Sequence, residues 1–273
     1  MPIARLGSIA LNYELEGDGP ETVVLVNGLA DDLGTWSAQV PDLLAAGYRV
    51  LRFDNRGAGM PVRPHCSYTT RLLAADAKAL IDHLALTRFH LVGVSIGGMI
   101  AQEYAIAHGG DLSSLTLCCS YAAPGPFCSR LFRLWRDMAQ AMGIAAVMRS
   151  VTLRAFSLDF FHEREAMLRE FEQGVEVEQP LDAYLGHLEA LQCHDTRPRL
   201  RAIRVPTLVL AGADDMLIPP ALARELHQLI PRAELAVLKG GHTLPWEYPV
   251  AFNARLLAFL GAHRAAEPSS IVA

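Results

Sequence analysis

Ser95 stands in Gly93-Val94-Ser95-Ile96-Gly97-Gly98, between an apolar run rich in β-branched residues and a segment with helical patterning. This is the G-x-S-x-G arrangement, in which a serine on a tight strand-to-helix turn projects as a nucleophile. Small residues at 93 and 97 let strand, turn and helix approach one another, and a helix N-terminus favours negative charge developing beside it. The Ile96 N–H then becomes one donor to a tetrahedral oxyanion. A hydroxyl is a poor nucleophile until a base takes its proton. Of the ten histidines, His242 has the right setting, because Lys239-Gly240-Gly241-His242-Thr243 makes a glycine-rich loop just past an apolar run. The other nine fall in helices, strand starts, other loops or the tail. The acid of such a triad belongs before the histidine in chain order, at the end of a strand. Asp214 and Asp215 both follow the run Pro206–Ala211. Asp215 is favoured because Met216-Leu217-Ile218-Pro219 turns from it into the next helix, which leaves Asp214 to cap or to face solvent.

These residues need a frame. Ile9–Tyr13 alternates as an early antiparallel strand would, and Thr22–Val26, Tyr48–Phe53, Phe89–Val94 and Ser114–Cys119 read as further strands. Helical patterns cover Thr35–Ala46, Leu72–Leu84 and Met99–His108. Strands alternating with helices predict right-handed crossovers and a parallel sheet covered on both faces. The alternation lapses from Pro124 to Arg199, where four helical stretches follow one another, and resumes with strands at Pro206–Ala211 and Glu234–Leu238. The expectation is a core of residues 1–122 and 200–263, a helical lid over 123–199, and a frayed tail at 264–273.

Composition limits the alternatives. At 273 residues, 51% hydrophobic and 19% charged, the chain is long enough for one large domain with a substantial core. A net charge of −5 with no basic run argues against nucleic acid as a partner. No apolar run approaches a membrane span, and the first residues lack a signal-peptide core. Five cysteines without CxxC or Cys/His pairing, and no HExxH, predict no metal site. No phosphate-binding glycine loop is present, so no cofactor is expected. The default is a soluble cytoplasmic protein acting on a small molecule, with homo-oligomerisation left open.

Taken together, the motifs resemble the α/β-hydrolase family over nearly the whole chain outside the lid. That resemblance implies a mostly parallel, twisted eight-stranded sheet flanked by helices, with the lid inserted between strands 6 and 7. Val26-Asn27-Gly28-Leu29 matches the family's oxyanion loop, in the Asn-bearing form found in 3-oxoadipate enol-lactonases, which makes the Leu29 N–H the second oxyanion donor. Asp54-Asn55-Arg56-Gly57-Ala58-Gly59 matches a further family turn, but Met60-Pro61 replaces its usual ending. Ser95 to Gln102, His194-Asp195-Thr196-Arg197, and Glu247-Tyr248-Pro249 resemble the enol-lactonase and cofactor-free haloperoxidase subgroup. The C-terminal helix has some similarity to aminoacrylate hydrolases.

Other residues carry two readings. Asn27, Gly28, Trp36 and Trp135 are candidates to line the pocket, although Trp36 suits core packing better. Asp54 and Arg56 are expected to order a turn, and His194-Asp195 to end the lid structurally. Arg130, Arg133 and Arg136 either hold a substrate carboxylate, as enol-lactonases imply, or form a solvated helix face. The reaction expected is hydrolysis of a small carboxylic ester or lactone through an acyl-enzyme. The same triad could act on a C–C, amide, carbamate or thioester bond, or make peracids, and an idle ligand-binding member of the fold is the non-enzymatic alternative.

Overall fold

The computed structural model describes residues 2–58, 68–174 and 179–264. The Met60-Pro61 departure and residues 265–273 of the tail lie outside these.

Among the described residues, eight strands form one sheet in the order β1-β2-β4-β3-β5-β6-β7-β8. A hairpin of β1 (Ile3–Leu6) and β2 (Ile9–Glu16) opens it, and β2 also pairs antiparallel with β4 (Tyr48–Phe53). The remaining neighbours run parallel: β3 (Glu21–Val26), β5 (Phe89–Val94), β6 (Leu112–Cys118), β7 (Thr207–Gly212) and β8 (Ala233–Leu238). Central strands read as unbroken apolar runs because both of their faces are covered. In β3, Val24 and Val26 enter the core on one side of the sheet, while Val23 and Leu25 enter the core on the other. Strand β1 had no legible signal, since only one of its four residues is buried.

Helices α1 (Val40–Ala45) and α10 (Pro249–Ala262) cover the second face, with Leu43, Phe252 and Phe259 buried against Val50, Val92 and Leu208. On the first face stand α2 (Thr70–His83), α3 (Ile96–His108) and α9 (Pro220–Leu229). The helix expected over Thr35–Ala46 is two pieces. Asp32 Oδ1 accepts from Gly34 N at 2.7 Å to start a 3-10 turn at Leu33–Trp36. Pro41, lacking an N–H, fits only the first turn of the helix that follows.

Between β6 and β7 lie α4 (Gly125–Met142), α5 (Ile144–Ala155), α6 (Leu158–Glu163), α7 (Glu165–Gly174) and α8 (Leu181–Cys193). Gly143 at φ +82° ends α4, and Ser157 caps α6 by accepting from Phe160 N. No helix among the described residues is long and apolar enough to cross a membrane.

Candidate active site

Two registers bring the motifs together. Val26 of β3 pairs with Gly93 of β5, so the loops leaving these strands, Asn27–Leu29 and Ser95, emerge side by side. At the same carboxyl end, toward the β8 edge of the sheet, Gly212 of β7 pairs with Leu238 of β8. Backbone bonds from Ala213 N to Leu238 O (2.7 Å) and Asp214 N to Gly240 O (2.9 Å) then zip the acid loop to the histidine loop.

Ser95 takes φ +57° and ψ −121°, a conformation that costs a non-glycine residue on the order of 1–3 kcal/mol. The surroundings hold it there: Ser95 N donates to Cys118 O at 2.9 Å, and Ser120 Oγ donates to Ser95 O at 3.0 Å. The flanking glycines are a steric requirement. A Cβ on Gly93 would stand 2.2 Å from Gly97 O, and one on Gly97 would stand 2.2 Å from Val26 O. Ile96 opens α3, where an N–H has no intrahelical acceptor. Among the described residues neither the Ile96 nor the Leu29 N–H has a protein partner, so two donors beside Ser95 are unspent.

Of the two neighbouring acids, Asp214 is exposed and Asp215 is buried. Asp215 Oδ1 accepts from the N–H groups of Leu217 (2.9 Å) and Ile218 (2.8 Å), and its Oδ2 lies 2.8 Å from His242 Nδ1. Nδ1 must carry a proton to bridge that pair, which turns Nε2 outward as the basic nitrogen. Burial pushes the His242 pKa down. The charge and hydrogen bond of Asp215, with Asp31 and Glu247 farther off, outweigh burial and leave it above the ordinary imidazole value. No hydrogen bond joins Ser95 Oγ to Nε2 here, although both residues line the same two cavities; such contacts often tighten only when substrate binds. Cys119 Sγ, Asp215 and His242 lie within 4.8 Å of one another. They suit a metal poorly: three N–H donors already occupy the Asp215 oxygens, and Cys118 and burial hold the Cys119 thiol well above its ordinary pKa.

The cavities meet at Ser95, His242, Thr243, Asp31 and Phe156. One, about 770 Å³ with its open mouth, runs under the helical insert between Phe132, Trp135, Met148, Leu191 and Leu217. The other reaches past Gly34, Thr35, Ser37 and Trp246. Trp135 is therefore a lining residue, and its buried indole Nε1 has no partner.

Asn27 and Trp36, both candidates for the lining, line neither cavity; Trp36 takes the core position instead. The Trp36 indole is fully buried and donates to Asn27 Oδ1 at 2.8 Å, while Asn27 Nδ2 donates to Phe53 O at 3.0 Å. Their polar groups are spent bracing the Asn27–Leu29 loop from beneath. Gly28 is also absent from the lining, but it touches the site, since a Cβ there would stand 3.7 Å from that of Ser95. Asp54 accepts from Asn12 Nδ2 and Leu33 N, and Arg56 pairs with Asp76, so both order turns. His194 is buried with Nδ1 2.8 Å from Thr70 Oγ1. Arg130 and Arg133 are exposed and Arg136 donates to Gln192; none lines either cavity.

Two acids escaped sequence reasoning. Asp31 sits in both cavities, yet no motif or spacing in its own segment marks it. Glu247 is buried, and its carboxylate accepts from Ser157 N, Ser157 Oγ, Gly241 N and Thr243 Oγ1. It ties the histidine loop to the insert.

The model of the alpha/beta hydrolase fold family matches residues 21–249. A protein of Azorhizobium caulinodans, named provisionally as the carbamate hydrolase RutD, is 32% identical across 96% of this chain and 98% of its own length. The enol-lactonase of Burkholderia xenovorans LB400 superposes with a TM-score of 0.88 at 31% identity, covering 95% of this chain and 100% of that one. A thermophilic esterase of Thermogutta terrifontis gives 0.83 at 26%, covering 93% and 94%. A strained serine on a strand-to-helix turn, a sheet of this order and a family match over most of its length agree: the chain is an enzyme of the α/β-hydrolase fold family.

Proposed function

We propose that this enzyme hydrolyses a small carboxylic ester or lactone, with Ser95 as nucleophile, His242 as general base and Asp215 as the acid that orients it. The observation that carries this reading is the 2.8 Å His242–Asp215 contact at a cavity into which the strained Ser95 also opens. Ser95 Oγ attacks the carbonyl carbon while its proton passes to His242 Nε2. The carbonyl oxygen, now an anion, takes hydrogen bonds from the Leu29 and Ile96 N–H groups. The tetrahedral species collapses, the C–O bond to the leaving group breaks, and the imidazolium returns its proton to the departing oxygen. Water, deprotonated by His242, then attacks the acyl-enzyme; the acyl–Ser95 C–O bond breaks, the imidazolium returns its proton to Ser95 Oγ, and the carboxylic acid leaves. Asp215 keeps the proton on Nδ1 throughout and stabilises the imidazolium.

The helical insert over residues 123–199 serves in this reading as a lid whose apolar underside receives the acyl group. Free thiols at Cys118, Cys119, Cys128 and Cys193 support a cytoplasmic setting. The test of the nucleophile is covalent. A fluorophosphonate should add its phosphonyl group to the Ser95 peptide by mass spectrometry, and unmodified Ser95 under conditions that label a control serine esterase would count against the assignment.

A second reading keeps the residues and changes the bond. The Azorhizobium relative's name favours a carbamate, whose carbonyl carbon bears both oxygen and nitrogen. Rates on matched ester and carbamate substrates would separate the two.

A further inference from the structure

Asp31 is an unexpected neighbour for a centre that must stabilise a developing oxyanion. Its Oδ2 accepts from Gly28 N at 3.1 Å, the single hydrogen bond to this carboxyl among the described residues. The place a Gly28 Cβ would occupy is 2.4 Å from that oxygen and 3.7 Å from Ser95 Cβ, so carboxylate and nucleophile flank one small volume. Asp31 lines both cavities, and no lysine or arginine lines either. The second cavity adds Phe156 and Trp246, whose rings pack edge to face with centroids 5.4 Å apart. A carboxylate beside aromatic rings, with no competing basic side chain but His242, is the chemistry that receives an organic cation. A substrate carboxylate there would meet a like charge with little water to screen it.

We propose that Asp31 is a specificity-determining residue that selects substrates carrying an alkylammonium group near the scissile carbonyl and turns away those carrying a carboxylate. This rests on the reading of Ser95 as the reacting centre. The carboxyl's own titration fits the role. Burial pushes its pKa up to about 6 against the pull of His242 and the Gly28 N–H, with Asp32 adding a smaller push. At pH 8 it is an anion poorly served by its surroundings, the state that gains most from an incoming cation.

The test reads binding alone, so that it stays separate from the chemistry. Choline, its neutral isostere 3,3-dimethylbutan-1-ol and the anion 3,3-dimethylbutanoate would be titrated calorimetrically at pH 8 into wild type, Asp31→Asn and Ser95→Ala. Wild type and Ser95→Ala should bind choline on the order of tenfold more tightly than the alcohol. The anion should bind most weakly. Asp31→Asn, which still offers Gly28 an acceptor, should lose the preference for choline and gain affinity for the anion. Equal affinity of wild type for choline and the alcohol, binding of neither, or a preference that survives in Asp31→Asn would overturn the proposal. The wild-type comparison decides even if the variant does not fold. An inert Ser95 would leave these binding outcomes unchanged.

Discussion

The main-chain N–H of His242 donates to the carbonyl oxygen of Ala155 at 2.6 Å, so the loop carrying His242 is fastened directly to the last turn of α5. Thr243 N reaches the same oxygen at 3.2 Å, and Glu247 closes the junction from behind through Ser157 and Gly241. The position of the imidazole therefore depends on the helical insert as well as on β8.

Glu247→Gln should disturb that junction. The amide that replaces the carboxylate presents N–H groups to partners that are mostly donors, and charge-assisted hydrogen bonds are lost. The expected cost is about 1.5–3 kcal/mol in unfolding free energy by chemical denaturation. Catalytic turnover should fall by more than substrate affinity, because His242 is displaced while the cavity lining stays. An unchanged denaturation midpoint together with unchanged turnover would refute the coupling.

The pH profile follows from the raised pKa of His242. The base must be neutral, so kcat/KM should rise with pH along a limb centred above the ordinary imidazole value of 6.5. Asp215→Asn removes the largest of the raising influences. Its residual activity should be lower by on the order of 10³–10⁴-fold, with the limb moved to lower pH. Asp31→Asn should move the limb in the same direction by less. A limb that stays in place in both variants would mean that His242 is not the titrating base.

Asp31 should also mark the stability profile. A carboxyl whose pKa rises from 3.8 to about 6 on folding contributes stability that is full below 3.8 and is lost as pH rises through about 6. Asp31→Asn escapes that loss. Its melting temperature should exceed that of wild type at pH 8, and the gap should close by pH 4. Calorimetric scans at the two pH values would show it, and a gap constant with pH would contradict it.

Much of the site was readable because its signals are local. A solid apolar run, a glycine-flanked serine and helical spacing all lie within some fifteen residues of Ser95, and the histidine loop is equally compact. What stayed hidden depends on pairing at long range. Asn27 and Trp36 looked like pocket residues by position, yet Phe53, 26 residues beyond Asn27, draws the Asn27 side chain beneath the loop. Asp31 carries no signal of its own, because nothing in its segment reveals that β5 delivers Ser95 next to it. Glu247 meets Ser157 across 90 residues, a distance no periodicity can bridge.

The role of Ser95 as nucleophile is tested most directly by hydrolysis of short p-nitrophenyl esters by wild type and Ser95→Ala, side by side. Wild type should turn over, and activity should fall by several orders of magnitude in a variant that keeps the wild-type circular dichroism spectrum. A folded Ser95→Ala protein that turns over ester at the wild-type rate would contradict that role.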